Sequence, residues 1–97
     1  MDSDENKPSY HVSYSKLASK QLDKLDGSVR SRILSWINKN LEGTKQPRLK
    51  GGALQANLND KWKYRIGDYR ILAKIDDDEI IILVLEVGHR REIYHKD

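Results

Sequence analysis

The sequence predicts an α+β fold: an N-terminal strand, an antiparallel helical hairpin, then a three- to four-stranded antiparallel sheet, packed as two layers. With 97 residues, 37% hydrophobic and 34% charged, the chain can build one domain with a thin core. Helices laid on one face of a single sheet suit such a core. Apolar residues recur at helical spacing only between 16 and 42; beyond residue 60 they alternate and then run continuously, as strands do.

Residues 1–9 lack apolar pattern and contain Pro8, and are expected as a flexible tail before a single domain over 10–97. Tyr10, Val12 and Tyr14 alternate with His11 and Ser13 as in a strand. Ser15 offers an N-cap to a helix over about 16–25, with Leu17, Ala18, Leu22 and Leu25 in its stripe and the polar Gln21 on the same side. Asp26-Gly27 breaks it. A second helix over roughly 28–42 carries Val29, Ile33, Trp36, Ile37 and Leu41, with Arg30, Arg32, Lys39 and Asn40 largely on its other side; Gly43 ends it.

Residues 43–60 read as a loop, with a short turn around 53–58. Trp62, Tyr64 and Ile66 then alternate with Lys63 and Arg65, and Gly67-Asp68 makes a two-residue hairpin connection. Alternation resumes from Tyr69 to Ile75, and the acidic run at 76–79 turns the chain. The continuous apolar run over 80–85 reads as a central strand, interrupted by Gly88 and followed by a polar end over 89–95.

Charge is unevenly placed. Residues 16–65 hold twelve bases against four acids, net +8; residues 66–97 hold five bases against eight acids, net −3. A basic body attracts polyanions, although a merely solubilising surface would look similar. Neutralising the acidic turn at 76–79 is expected to be tolerated unless it meets a partner. No cysteine is present, and His11, His89 and His95 lack the spacing of metal ligands, so neither metal nor cofactor is expected. No stretch approaches the roughly 20 apolar residues of a membrane span, and the acidic start is unlike a signal peptide. A soluble, cytoplasmic protein with no membrane partner is expected.

The hairpin around Gly67-Asp68 has the most informative geometry. A two-residue loop sets Arg65 opposite Arg70 and Lys63 opposite Leu72, with Lys63, Arg65 and Arg70 on one face. Directly opposed like charges destabilise a sheet, so the cluster makes sense around an anion. Arginine's planar fork suits phosphate. Glu86, on the next strand, is the structural alternative, neutralising one of them. His89, Arg90, Arg91 and Tyr94 follow within six residues. Cations beside a histidine and a tyrosine supply what RNA cleavage needs: charge stabilisation, a proton acceptor and a proton donor.

Trp62-Lys63-Tyr64-Arg65-Ile66-Gly67-Asp68-Tyr69-Arg70-Ile71-Leu72 resembles the core hairpin of RelE-type toxins, and Val87-Gly88-His89-Arg90-Arg91-Glu92-Ile93-Tyr94 resembles their C-terminal segment. Leu49-Lys50-Gly51 is similar to the family's pre-hairpin loop. The resemblance implies a ribosome-dependent mRNA interferase that cuts mRNA in the A site by 2′-hydroxyl attack. It implies a cognate antitoxin, and operator DNA bound only through the antitoxin complex.

Carried onto this chain, the resemblance gives Lys63, Arg65, Arg70, His89, Arg90 and Tyr94 as catalytic positions, with Lys50, Lys61 and Arg91 contacting RNA. His89 or Tyr94 would transfer protons, and Arg70 and Arg90 would hold the scissile phosphate. Two departures stand out: arginine at 65 where a second lysine is common, and a short Arg90-to-Tyr94 spacing that leaves Arg90 or Arg91 as the functional arginine. Replacing Arg70 by alanine is expected to abolish toxicity and leave the fold intact or slightly more stable. ParE-type toxins share the fold but poison DNA gyrase, and a non-catalytic RNA-binding module would use the same basic face.

Overall fold

The computed structural model describes residues 7–54 and 61–93. The chain is α+β: β1 (His11–Tyr14), α1 (Lys16–Lys24), α2 (Gly27–Asn40), β2 (Gly52–Ala53), β3 (Lys61–Ile66), β4 (Tyr69–Asp76), β5 (Ile81–His89) and the short α3 (Arg90–Ile93). Five strands form one sheet in the order β1-β5-β4-β3-β2. Strands β2 to β5 are antiparallel to their neighbours, and β1 joins β5 in parallel. Of the expected tail, residues 1–6 lie outside the described residues and 7–9 carry no regular structure.

Local chemistry explains both helix starts. The Ser15 hydroxyl accepts from the Ala18 amide at 3.0 Å and donates to the Leu85 carbonyl at 2.9 Å, capping α1 and tying it to β5 together. Asp26 caps α2 by accepting from the Ser28 amide and hydroxyl, and these bonds, the hydroxyl's first, hold its carboxyl below the usual range. The Arg30 guanidinium donates to the carbonyls of Leu22, Asp23 and Leu25, so α2 closes the C-terminal end of α1. Gln21, polar in an apolar stripe, accepts from the Val87 amide at 2.7 Å. It satisfies β5 beyond the end of β1.

Ala18, Leu22, Ile33, Ile37 and Leu41 of the helical layer pack on Tyr64, Ile66, Ile71, Ala73, Ile75, Ile82, Val84 and Val87 of the sheet. The outer edge of β1 is covered by the chain leaving α2. Tyr10 and the Gly43-Thr44 backbone exchange hydrogen bonds, and Glu42 accepts from the Val12 amide at 2.9 Å. Such cover blocks edge-to-edge pairing.

Four local features differ from the sequence reading. Gly52 and Ala53 add a short edge strand where a loop was expected, while residues 55–58 of the expected turn lie outside the described residues. β5 runs through Gly88 to His89, because the pairing of Arg70 with Gly88 continues the ladder. The polar end then turns into α3 instead of extending. A register shift also falls between Leu72 and Ala73: Leu72 pairs with Glu86, Ala73 with Val84, and Leu85 is the extra residue. The Leu85 carbonyl is the one that Ser15 takes.

Candidate nucleic-acid interface

The β3–β4 ladder has the register expected from the loop length: Ile66 faces Tyr69, Arg65 faces Arg70 and Lys63 faces Leu72. Gly67 has φ +59, and Ile80 is the one non-glycine positive φ among the described residues. Positive φ at the first central position followed by an ordinary φ is the pattern of a type II′ hairpin turn, which fits strand twist. On this register Lys61, Lys63, Arg65 and Arg70 share one pleat, and Lys61 faces Lys74.

Beside the hairpin runs a cleft of about 480 Å³ lined by Trp36, Lys50, Gly51, Gly52, Lys63, Arg65 and Arg70. It opens where β2 stops pairing, since β2 covers only Trp62 and Lys63 and leaves Tyr64 to Ile66 outside that ladder. Two bonds hold the 47–51 loop as its wall. The Tyr64 hydroxyl donates to the Pro47 carbonyl and the Trp62 indole to the Lys50 carbonyl, each at 2.6 Å. Burial pushes the Tyr64 phenol well above its ordinary value, so it stays a neutral donor. Gly51, at φ +78, lies so close to β3 that a side chain there would collide with the Lys63 carbonyl.

Arg65 is exposed, whereas Arg70 is only 6% exposed. The Arg70 guanidinium donates to the carbonyls of Gly67 and Tyr69, each at 3.2 Å. Among the described residues, these two carbonyls are its hydrogen-bond acceptors and no carboxylate pairs with it. Arg70 therefore braces the turn while carrying charge to the cleft. Its burial and these two bonds speak against the expectation that its removal would spare or improve the fold. Alternation predicted its face; its burial follows from neighbours that pairwise register does not describe.

The C-terminal positions are arranged differently. His89 pairs with Tyr69, on the opposite pleat from Arg70, and the two rings meet edge to face at 5.6 Å. Its Nδ1 accepts from the Arg91 amide and its own amide donates to Glu92, each at 3.2 Å. Together these bonds cap the α3 turn much as a capping box does, with His89 accepting from the second amide of the helix and Glu92 returning to the His89 amide. The Arg90 amide donates to the Asp68 carbonyl at 2.8 Å, which holds α3 against the hairpin turn.

Arg90 and Arg91 are exposed. Tyr94 lies outside the described residues. The cleft thus gathers Lys50, Lys63, Arg65 and Arg70, while Lys61 stands further along β3 and His89, Arg90 and Arg91 sit at the end of the sheet beyond the turn. Among the described residues no three His, Cys, Asp or Glu side chains converge as a metal-ligand set, and no helix is long and apolar enough to cross a membrane.

Two residues were not among the site positions expected from the sequence. Trp36 lines the cleft, and the Arg32 guanidinium lies against the hairpin turn at Gly67, 2.6 Å from where a Cβ would stand. Their i, i+4 spacing on α2 is the signal that places them on one side of the helix. It was masked by Trp36 fitting the apolar stripe.

Comparison with known proteins agrees with this architecture. The family model of the ParE toxin of type II toxin–antitoxin systems, parDE, matches residues 12–94. Toxin RelG of Mycobacterium tuberculosis is 29% identical over 87 residues, covering 90% of this chain and 98% of RelG. The toxin–antitoxin complex RelBE2 of the same organism contains a chain matching with a TM-score of 0.74 and 28% identity, over 84% of this chain and 99% of that one. A free-state mutant of Escherichia coli toxin RelE matches in fold, with a TM-score of 0.72 and 23% identity over 90% of this chain and 92% of that one.

Proposed function

The chain belongs to the ParE toxin family of type II toxin–antitoxin systems, within the RelE/ParE superfamily, and from that membership we propose that it is a RelE-type endoribonuclease cutting mRNA in the ribosomal A site. The observation that carries this reading is the convergence of Lys50, Lys63, Arg65 and Arg70 on one cleft. An anion there relieves the repulsion of Arg65 and Arg70, and a phosphodiester suits guanidinium geometry.

In the reaction the ribose 2′-hydroxyl attacks the adjacent phosphorus and the bond to the 5′-oxygen breaks, leaving a 2′,3′-cyclic phosphate and a 5′-hydroxyl. Arg70 and an arginine from the C-terminal pair, Arg90 or Arg91, stabilise the charge gathering on the phosphate oxygens. Lys63 and Arg65 hold flanking phosphates, with Lys50, Lys61 and Arg91 along the strand's path. Proton transfer falls to Tyr94 or to His89. For His89 it runs through Nε2, because Nδ1 is committed to the Arg91 amide. No metal is assigned a step.

The ribosome supplies the positioning that an exposed cleft lacks, and the site of action is the cytoplasm. A cognate antitoxin is the partner that silences the toxin, as the toxin–antitoxin complexes among the matching structures suggest; operator DNA is met only through that complex.

The match to a ParE model favours one second reading, inhibition of DNA gyrase by the same fold. Purified protein added to a translating extract, with mRNA 5′ ends mapped by primer extension, separates the two. Cuts at A-site codons that vanish in Arg65→Ala support the nuclease. Intact mRNA with supercoiling inhibited in a parallel gyrase assay replaces it with the second reading.

A further inference from the structure

We infer that Trp36 forms a nucleobase-stacking subsite in the basic cleft, so that α2 holds one unpaired base of the RNA whose phosphate the hairpin holds. The inference rests on the RNA-cleaving reading above and deepens it.

The two tryptophans of the chain differ in a telling way. Trp62 is fixed structurally, its indole N–H donating to the Lys50 carbonyl. Trp36 is half-buried, packs one side at a 55° tilt on Tyr64 with ring centroids 5.9 Å apart, and presents other surface to the cleft. Among the described residues its indole N–H has no acceptor, and it is not a buried orphan. A tryptophan serving only the core would bury its ring and pair its N–H.

The rest of the cleft suits a nucleotide. Its volume of about 480 Å³ accommodates a base with its sugar and phosphate. Gly51 and Gly52 also line the cleft, and at Gly52 no atom lies within 4 Å of where a Cβ would stand, which leaves open space there. Lys50, Lys63, Arg65 and Arg70 supply cations within the same cleft. An aromatic face beside a cationic track is the arrangement by which proteins hold single-stranded RNA, and stacking tolerates any base. On α2, one turn before Trp36, Arg32 adds a further guanidinium at the Gly67 turn.

The test uses the full-length toxin and a six-nucleotide RNA, 2′-O-methylated throughout so that it binds without being cut and carrying a 3′ fluorophore. Binding is followed by anisotropy at low salt, against an abasic scan of the same oligonucleotide. Wild type should lose about tenfold or more in affinity when one particular base is missing. Trp36→Leu should show a similar loss on the intact RNA and little further loss on that abasic RNA, whereas Trp36→Tyr should stay within a few-fold of wild type.

Equal affinity of Trp36→Leu and wild type, or losses that multiply independently, overturns the subsite. So does wild type that fails to bind the RNA or ignores every abasic position, and that result stands even if Trp36→Leu does not fold. Cleavage on translating ribosomes keeps the two claims apart: A-site cutting that is indifferent to Trp36→Leu removes the subsite and leaves the nuclease, while base-dependent binding without cutting does the reverse.

Discussion

Arg65 stands directly opposite Arg70 across the β3–β4 ladder, yet only Arg70 is built into the fold. Arg65 is exposed and its charge faces that of a buried neighbour, so Arg65→Ala should hold stability within about 0.5 kcal/mol of wild type, or raise it slightly, as the opposed pair is relieved. The same change should cut RNA cleavage at least tenfold. Arg70→Ala differs, because it removes a buried side chain and its two bonds to the Gly67 and Tyr69 carbonyls; a loss of about 1–2 kcal/mol follows. Thermal melts beside cleavage rates separate the two arginines. Equal melting losses would show that Arg70 has no special bracing role.

Gly67 carries two constraints at once. Its φ is +59, and a Cβ there would stand 2.6 Å from the Arg32 guanidinium. Gly67→Ala should therefore destabilise by about 1–2 kcal/mol from backbone strain alone. Pairing it with Arg32→Ala should recover part of any excess, because the truncated side chain no longer meets the new methyl group. A denaturant series on the single and double variants measures this coupling, and strict additivity would show that backbone conformation accounts for the whole cost.

Asp77 is the exception within the acidic turn. Its carboxylate accepts from Arg48 at 3.1 and 3.0 Å and from the Tyr10 hydroxyl at 2.6 Å. The Arg48 bonds, then the Tyr10 bond, hold its carboxyl below the usual carboxylate range. A depressed folded-state value gives stability that is present above the unfolded value of about 4 and is lost as pH falls through the folded one. Because Arg48 and Asp77 are substantially exposed, solvent limits the effect to about 1 kcal/mol or less. Asp77→Asn should melt a few degrees below wild type at neutral pH, and the gap should close below about pH 4. Asp78→Asn should show no such gap, and a constant Asp77 gap at every pH would remove the charge from the explanation.

Much of this was legible in the chain because it is local. The two-residue loop at Gly67-Asp68 alone sets the register that opposes the arginines, and Ser15 caps α1 where the sequence places it. What escaped depends on contacts distant in sequence. Two residues, Gly52 and Ala53, have no period to reveal a strand. Gly88 reads as a break, yet pairing with Arg70 carries β5 through it. Gln21 reads as a flaw in the stripe until the Val87 amide appears opposite it, and Asp77 reads as one acid among four until Arg48 and Tyr10 arrive from the other side of the fold. Trp36 fits the apolar stripe equally well whether or not part of its ring lines a cleft.

His89 carries the last prediction, which concerns the proton on its ring. Nδ1 accepts from the Arg91 amide, so the neutral imidazole must hold its proton on Nε2. In that tautomer Nε2 offers no lone pair to take the 2′-hydroxyl proton; protonating a departing 5′-oxygen calls for the imidazolium, whose Nδ1–H gives up the bond from the Arg91 amide. Nitrogen-15 shifts of the ring, recorded at a pH where it is neutral, should report the Nε2–H form. His89→Asn can keep the cap through its side-chain oxygen but cannot relay a proton. It should preserve the melting temperature while slowing cleavage if His89 is the acid, and leave cleavage untouched if Tyr94 has that task. An Nδ1–H tautomer would mean that the cap is not made in solution and would return the base role to His89.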